Sequence, residues 1–296
     1  MAALSIIIVN YKSWIVLEKC LESIISQNNS DVEVIIIDNN SGDKELNKFK
    51  KKYTKFTWIS NTKNLGFSRA CNQGAKIAKN GHYLFLNPDT ELEKDCLIKL
   101  KTKISAFPNS IISIMQIGSN GINKYPYGEF LSLKSFNGIL RFLSRSVKCN
   151  YRYNDYKKPF LKPDWVSGSF LLIDKKNFYN LSGWDEDYWM YYEDMDLCRR
   201  AKNIGMDVVL LNNMFCTHHH GKSSRIDLKT TVKTKTQLIK SGLIFIIKHY
   251  SGLYQKILKF MFIGSNLVEL LLLCPFSRKR RLILRNLIFN LRVENF

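Results

Sequence analysis

The chain has 296 residues, 45% of them hydrophobic, and a formal net charge of +20. This length and apolar content predict one large α/β domain with a smaller appendage, and they exclude an intrinsically disordered chain. The seven cysteines include no Cys-x-x-Cys pair, which argues against a disulfide framework or a thiolate zinc site and favours reduced thiols in the cytoplasm.

Three apolar runs early in the chain are typical of buried strands, at residues 5–9, 32–37 and 56–59. The segment after the first run has a predicted helical stripe made of Ile15, Leu17, Leu21, Ile24 and Ile25. This β-α-β-α-β order predicts a parallel sheet with right-handed crossovers.

Polar residues stand at the ends of these runs. Asn10, Tyr11 and Asp38 close the first two, and Asn61 follows the third. We expect them at one carboxyl edge of the sheet, where ligands of α/β proteins bind. There Tyr11 could stack on a nucleotide base while Asp38 accepts the imide N–H of uracil or thymine. The alternative is that they are ordinary loop residues.

The segment from Asn64 to Gly74 predicts a turn followed by a helix. Gly66 allows the backbone to approach a ligand closely, and Asn72 is polar among small residues that can face inward. The N-terminus of such a helix is a favourable place for a diphosphate. No Gly-Lys-Ser follows, so the segment is not a Walker loop and does not predict ATP-type phosphate binding.

The sequence Asn87-Pro88-Asp89 follows a fourth buried strand at residues 83–86. Pro88 cannot donate to a sheet ladder, so the strand should end near Asn87 and leave Asp89 just beyond it. A carboxylate in that position can hold a divalent cation against a diphosphate. The alternative is a simple turn in which Asp89 caps the next helix.

Residues 164–173 are predicted to form one strand with small residues near its start. Gly168 would leave room for a sugar, and Trp165 would offer a flat face beside it. A tryptophan at the start of a strand is also typical of an ordinary core residue.

The segment 183–200 has the densest set of acids and aromatic residues. Its apolar spacing predicts a helix that begins near Glu193, where Glu193 and Asp194 would meet the positive end of the helix dipole, and this structural role is the alternative to a catalytic one. Trp189 and Tyr192 would partly desolvate these acids, which raises a carboxylate pKa toward values useful for taking a proton from a hydroxyl.

Two late strands, at residues 208–211 and 214–216, lead to His218-His219-His220. Three adjacent histidines do not supply ligands at helical i, i+4 spacing. In a strand, alternation would direct only alternate imidazoles to one face.

The chain from Asp227 onward contains thirteen Lys and Arg residues and three acids. Its apolar runs are interrupted short of the roughly 20 residues that span a bilayer. We therefore predict a catalytic domain at residues 1–225 and, at residues 226–296, a helical, basic and amphipathic region that attaches to an anionic membrane surface. The alternative is a helical subdomain with solvated charges. No nucleic-acid-binding motif accompanies the charge, so we expect no nucleic acid partner.

Over roughly residues 4 to 225 the chain resembles family 2 glycosyltransferases, especially their bacterial rhamnosyltransferase-like branch. The resemblance is carried by the ordered motifs Ile8-Val9-Asn10-Tyr11, Ile37-Asp38-Asn39-Asn40-Ser41, Asn64-Leu65-Gly66-Phe67 and Asn87-Pro88-Asp89. It implies a GT-A fold, with a mostly parallel sheet flanked by helices. It also implies an inverting transferase that uses a nucleotide-diphospho-sugar.

The resemblance also implies residue roles. Asp38 would hold the base, while Asn64 and Gly66 would lie along the nucleotide. With the residue-based candidates, the donor site is predicted to contain Asn10, Tyr11, Asp38, Asn64, Gly66, Asn72, Asn87 and Gly168. Contacts to the acceptor are predicted for Trp165, Trp189 and Tyr192.

For the chemistry, the resemblance places Mn²⁺ or Mg²⁺ on Asp89 and His218, Asp89 being the metal-binding end of a D-x-D motif. Asn87 stands where that motif begins with an acid, which leaves one charge fewer for the cation. Asp194 would be the general base, and Glu193 would orient the acceptor.

The implied donor is dTDP-rhamnose, whereas the residues alone permit any dTDP- or UDP-sugar. The predicted acceptor is a hydroxyl of a polyprenyl-diphosphate-linked glycan or polysaccharide in cell-surface synthesis such as that of O-antigen. This predicts a cytoplasmic enzyme, peripheral at the inner face of the membrane.

Two other functions are alternatives. The first is a sugar-phosphate nucleotidyltransferase, but the glycine-rich triphosphate loop that such an enzyme needs is missing after the first strand. The second is a non-catalytic basic nucleotide- or anion-binding protein, which would not explain the acids.

Overall fold

The computed structural model describes residues 3–28, 31–42, 44–121, 123–133, 158–219 and 227–293. These residues form two compact units. The first contains the described residues up to Phe130 together with 158–189 and 193–219, and the second contains 131–133, 190–192 and 227–293.

The first unit is built on a β-sheet. In chain order its strands are β1 (Leu4–Asn10), β2 (Val32–Asp38), β3 (Thr57–Ser60), β4 (His82–Leu86), β5 (Thr90–Leu92), β6 (Ser110–Ile117), β7 (Asn123–Lys124), β8 (Tyr127–Gly128), β9 (Phe160–Leu161), β10 (Trp165–Val166), β11 (Phe170–Asp174) and β12 (Asp207–His218). The sheet order is β3-β2-β1-β4-β11-β6-β12-β5, with β7 beside β6 and β9 beside β12, while β8 and β10 pair with each other.

Strand direction decides which residues meet at one edge. Strands β1 to β4 are parallel, and β6 and β12 are parallel to each other. Strand β11 is antiparallel to both β4 and β6, so β4, β6 and β12 all point the same way. The ends of β1, β2, β4, β6 and β12 therefore share an edge with the start of β11. The predicted mostly parallel sheet is confirmed.

Helices cover both faces of the sheet. They are α1 (Trp14–Ile25), α2 (Glu45–Lys52), α3 (Phe67–Ile77), α4 (Cys96–Ala106), α5 (Lys175–Asn180) and α6 (Glu193–Asn203). One core cluster joins α1, α2 and α4 to one face, and a second joins α3, α5 and α6 to the other. Buried on both faces, the central strands can be apolar throughout, which explains runs such as residues 5–9.

Three local predictions are wrong. Ile15 is 81% exposed, because the buried stripe of α1 is instead Trp14, Leu17, Cys20, Leu21 and Ile24. Residues 164–173 are not one strand, since residues 167–169 form a turn between β10 and β11. The two late strands are one strand, β12, whose pairing with β6 shifts register between Leu211 and Phe215.

The second unit contains the helices α7 (Leu228–His249), α8 (Gly252–Leu273) and α9 (Arg278–Val293). Asp227 caps α7 by accepting a hydrogen bond from the Thr230 N–H at 2.7 Å. Helices α7 to α9 pack through one cluster of Val232, Leu270, Ile283 and Leu287, and α7 and α8 through another of Leu243, Ile246, Leu258 and Phe262. Within the part of the chain that the structure describes, no helix is long and apolar enough to cross a membrane.

The six described cysteines are free thiols. Five are buried in the first unit, and Cys274, in the second, is partly exposed. Cys149 lies outside the described residues.

Candidate active site

Two buried polar residues meet where β1 and β2 end. Asn10 pairs in register with Asp38, and its Nδ2 donates to Asp38 Oδ1 at 3.2 Å. The Ser41 backbone N–H donates to Asp38 Oδ2 at 3.2 Å, and the Ser41 hydroxyl donates to Oδ1. Tyr11, beside them, is partly exposed, and Lys12 Nζ lies 5.5 Å from its ring centroid.

Asn39 connects this edge to the loop before α3 and was not among the predicted site residues. Its Nδ2 donates to Asn64 Oδ1 at 3.1 Å and to the Gly66 carbonyl at 2.9 Å, while its Oδ1 accepts from the Leu65 N–H at 3.0 Å. Asn39 is only 2% exposed. A buried amide that both donates and accepts holds the loop against the end of β2.

Position 66 requires a glycine because of its backbone conformation and because Trp189 lies close to it. Its φ is +88°, and a Cβ added there would lie 2.3 Å from the Trp189 carbonyl oxygen. The adjacent Phe67 N–H donates to the same oxygen at 2.7 Å. The close approach that Gly66 permits is therefore to Trp189, which the structure places against the loop of Asn64.

The side chain of Asn72 forms hydrogen bonds within the protein. Its Oδ1 accepts from the Trp184 N–H at 3.0 Å, and its Nδ2 donates to the Trp184 carbonyl at 2.8 Å and to Glu186 Oε1 at 3.1 Å. These contacts position the Trp184 segment. The assignment of Asn72 to donor binding stays a prediction.

Asp89 and His218 are brought together by strand pairing. The antiparallel register of β5 and β12 places His218 opposite Thr90, and His218 Nε2 lies 3.2 Å from Asp89 Oδ1. Both side chains are buried, at 4% exposure for His218 and 1% for Asp89. His219 contacts Glu91 instead, with its Nε2 2.6 Å from Glu91 Oε1. His220 lies outside the described residues.

The atoms of this pair fit a divalent cation. Gln116 Oε1 lies 2.7 Å from His218 Nδ1, and a carbonyl oxygen can only accept, so Nδ1 carries the hydrogen. With a hydrogen on Nδ1, the imidazole of His218 can offer a lone pair on Nε2 to a cation, and the facing Asp89 carboxylate can offer an oxygen to the same cation. Among the described residues, no group of three or more His, Cys, Asp or Glu side chains that could hold a metal is found. The assignment of a cation to Asp89 and His218 stays a prediction.

The turn at residues 167–169 adjoins both this pair and the predicted base. The Gly168 N–H donates to Asp194 Oδ2 at 3.2 Å. Ser169 Oγ accepts from Gln116 Nε2 at 2.6 Å, and the Ser169 carbonyl accepts from the Asn87 N–H at 2.9 Å. The reversed direction of β11 places this turn at the shared edge of the sheet.

Glu193 and Asp194 open α6 as predicted. Burial, followed by the neighbouring Asp194 charge, raises the pKa of Glu193 well above its ordinary value. Burial also raises the pKa of Asp194, although hydrogen bonds from the Gly168 and Met195 N–H groups favour its charged form. Glu193 Oε2 is buried without a hydrogen-bond partner among the described residues.

Residues 5–174 match the sequence model of a family described as glycosyl transferase family 2. The chain belongs to this family. The expected resemblance to family 2 glycosyltransferases, including their rhamnosyltransferase-like branch, is confirmed.

This glycosyltransferase is similar to the low-salt glycan biosynthesis hexosyltransferase Agl10 of Haloferax volcanii, with 30% identity over 212 residues that cover 69% of the chain and 63% of Agl10. It thus spans less than two thirds of that relative. The N-acetylglucosaminyl-diphospho-decaprenol L-rhamnosyltransferase of Mycobacterium tuberculosis is 25% identical over 280 residues, which cover 88% of this chain and 90% of the relative.

Among solved structures, the glycosyltransferase is similar in fold to the mannosyltransferase PcManGT from Pyrobaculum calidifontis in complex with GDP-Man and Mn²⁺. The TM-score is 0.59 at 13% identity, and the match covers 98% of this chain and 81% of that chain. At this identity the likeness shows the fold alone, and it confirms the predicted GT-A architecture.

The aromatic residues predicted for the acceptor lie in different surroundings. In this glycosyltransferase Trp165 packs over Gly128, and its Nε1 donates to the Glu129 carbonyl at 3.0 Å. Tyr192 belongs to the second unit, where its ring centroid lies 5.9 Å from that of Phe245. Their assignment to the acceptor stays a prediction.

Proposed function

We propose that this glycosyltransferase is metal-dependent and inverting, and that it moves a sugar, with rhamnose favoured, from a dTDP- or UDP-sugar to a hydroxyl of a lipid-linked glycan. The proposal rests on the contacts of the turn at residues 167–169. The turn is hydrogen-bonded to Asp194 on one side, and on the other it is hydrogen-bonded to Gln116, which contacts His218 beside Asp89. A base next to a cation-binding pair suits displacement of a diphosphate from a sugar carbon.

The nucleotide is proposed to lie along the edge formed by Asn10, Asp38 and the loop at Asn64. Three of the roughly four acceptor positions of the Asp38 carboxylate are used by Asn10 and Ser41. The remaining one is available to the imide N–H of uracil or thymine. Rhamnose is favoured because the mycobacterial relative, matched over most of both chains, is named as an L-rhamnosyltransferase.

Asp89 and His218 would hold Mn²⁺ or Mg²⁺, and the bound cation would offset the charge that builds on the departing nucleoside diphosphate. Asp194 accepts the proton of the acceptor hydroxyl. The hydroxyl oxygen forms a bond to the anomeric carbon of the sugar as the bond between that carbon and the diphosphate breaks. Buried Glu193 stays protonated and donates a hydrogen bond that orients the acceptor. One displacement reverses the configuration at the anomeric carbon.

The second unit is proposed to attach the enzyme to the inner, anionic face of the cell membrane. Helix α8 has an exposed apolar side, and the basic residues Arg278, Lys279 and Arg281 open α9. Such a combination is typical of helices that lie in the headgroup region. A polyprenyl-diphosphate acceptor would be met at that surface.

The test is transfer of labelled rhamnose from dTDP-rhamnose to a polyprenyl-diphosphate acceptor in vesicles, with Mn²⁺ or with a strong chelator, and with UDP-sugars in parallel. We expect an inverted product, no transfer with chelator, and a kcat about 10²–10⁴-fold lower in Asp194→Asn at unchanged donor affinity. Asp187→Asn, an exposed acid of the same segment, should keep its activity. Full transfer by Asp194→Asn or in chelator would overturn the proposal.

A further inference from the structure

Gln116 is a buried amide near the end of β6, a strand that is buried almost throughout. It is 2% exposed, and the oxygen and the nitrogen of its side-chain amide each contact a side chain that is distant in sequence. Its Oε1 lies 2.7 Å from His218 Nδ1, and its Nε2 donates to Ser169 Oγ at 2.6 Å. Any buried amide needs hydrogen-bond partners, and what singles out Gln116 is that its two partners are His218 and a residue of the turn at residues 167–169.

The orientation of this amide decides the state of the imidazole. With Oε1 toward Nδ1, the hydrogen of neutral His218 sits on Nδ1, and Nε2 presents a lone pair. With the amide reversed, the imidazole hydrogen would move to Nε2 and point at Asp89. Ser169 Oγ lies 2.6 Å from Gln116 Nε2 and 2.9 Å from Ser167 Oγ. Where the Ser169 hydroxyl donates to Ser167, its oxygen can only accept from Gln116, which favours Nε2 over Oε1 at that contact.

We propose that Gln116 is a positioning residue, held by Ser169, that keeps His218 in the tautomer and ring orientation required for a divalent cation shared with Asp89. The proposal rests on the metal site of the proposed function. It adds that this site is tied to the turn at residues 167–169, whose Gly168 N–H also holds Asp194. Outer partners of metal-bound histidines act in this way in other metal sites.

The test measures the dissociation constant of Mn²⁺ by calorimetry and by electron paramagnetic resonance on the full chain, without substrate. Gln116→Met, of similar size but without an acceptor for Nδ1–H, should weaken Mn²⁺ binding about 10–100-fold. Gln116→Glu, which restores the acceptor, should stay within about threefold of the wild type. Ser169→Ala, which frees the amide to rotate, should give an intermediate loss.

Ser113→Ala is the matched control. It also removes a buried hydrogen bond from β6, the one that Ser113 Oγ donates to the Phe170 carbonyl at 2.6 Å, but it does not contact His218. We expect it to lower thermal stability and leave the Mn²⁺ dissociation constant within about twofold. An equal loss of Mn²⁺ affinity in Ser113→Ala and Gln116→Met would overturn the inference, since it would reduce Gln116 to a packing residue.

His218→Ala separates this inference from the proposed function. Unchanged Mn²⁺ binding in His218→Ala would show that His218 is not a metal ligand. That result would overturn both the proposed metal site and this inference. Weakened binding in His218→Ala combined with normal binding in Gln116→Met would overturn the inference alone. If Gln116→Met does not fold, the pair Gln116→Glu and Ser169→Ala decides, and normal binding in Ser169→Ala overturns the role of the anchored amide.

Discussion

Adjacent carboxylates at the start of α6 have unequal surroundings. Asp194 receives two backbone N–H groups, from Gly168 and Met195, which favour its ionised form. Glu193 is only 7% exposed, and its Oε2 has no hydrogen-bond partner among the described residues. Two neighbouring acids in such environments divide their roles, one ionised and one protonated. We therefore propose Asp194 as the base and Glu193 as the acid that keeps its proton.

This division predicts that Glu193→Gln melts at a higher temperature than the wild type, with a difference that widens between about pH 5 and about pH 7.5. The pKa of Glu193 is raised by folding, so the native state holds more protons than the unfolded state above pH 4.5, and the wild type loses stability as pH rises. Glutamine cannot ionise and escapes this loss. Thermal melts at both pH values provide the measurement.

Glu93→Gln, at an exposed position of the same unit, is the control for this experiment and should show no such gain with pH. If Glu193→Gln were instead less stable than the wild type by the same amount at both pH values, the native Glu193 carboxylate would have to be satisfied as an ion.

Individual site residues were predictable to different degrees. Asp89 was evident because Pro88 must end the strand just before it, and β4 does end at Leu86. Gln116 was not predictable, because its partners Ser169 and His218 are 53 and 102 residues away in sequence. The residues adjacent to Gln116 in the sequence do not indicate which distant side chains its amide will contact.

At the scale of elements, the direction of β11 matters most. The sequence of residues 164–173 predicts one strand, because small residues such as Ser167 and Gly168 are tolerated within strands. Whether the chain turns there depends on pairing, since β10 pairs with β8 and β11 with β4. The parallel direction of β1, β2 and β3 was predictable from the order of apolar runs along the chain, whereas this turn depends on partners that the sequence does not reveal.

The loop before α3 supplies an element-scale prediction. Gly66→Ala should lower the free energy of unfolding by about 1–3 kcal/mol, because φ is +88° and the new Cβ would clash with the Trp189 carbonyl. Denaturant unfolding measures the change. Gly81→Ala, where a Cβ meets nothing within 4 Å, should change it by less than about 1 kcal/mol. Equal effects of the two substitutions would show that Trp189 does not constrain this loop.

At the scale of the whole molecule, the basic charge and an exposed apolar face coincide in the second unit. The packed side of α8 includes Leu258, Phe262 and Leu270. Its opposite side has exposed apolar residues at helical spacing, with Gly264 between the third and fourth: Leu253, Ile257, Phe260, Leu267 and Leu271. A stripe of this kind in a basic segment favours contact with an anionic bilayer.

We expect Phe260→Glu to weaken binding to vesicles of acidic phospholipid roughly tenfold or more, since burial of a phenylalanine contributes about 1.5–3 kcal/mol. Flotation measures the bound fraction, which should also fall with added salt. Ile204→Glu introduces the same charge at a 56% exposed position of the first unit and should not change binding. Normal flotation of Phe260→Glu together with lost self-association would assign the stripe to a second copy of the chain.

The distribution of thiols has a practical consequence. The five described cysteines of the first unit are buried, and burial raises the pKa of each, so these sulfurs resist alkylation while the fold persists. Cys274 follows the last residue of α8 and is partly exposed. With Cys149 replaced by serine, a maleimide dye would therefore mark the end of α8 in otherwise native enzyme, and its fluorescence would follow the arrival of that helix at a lipid surface in real time.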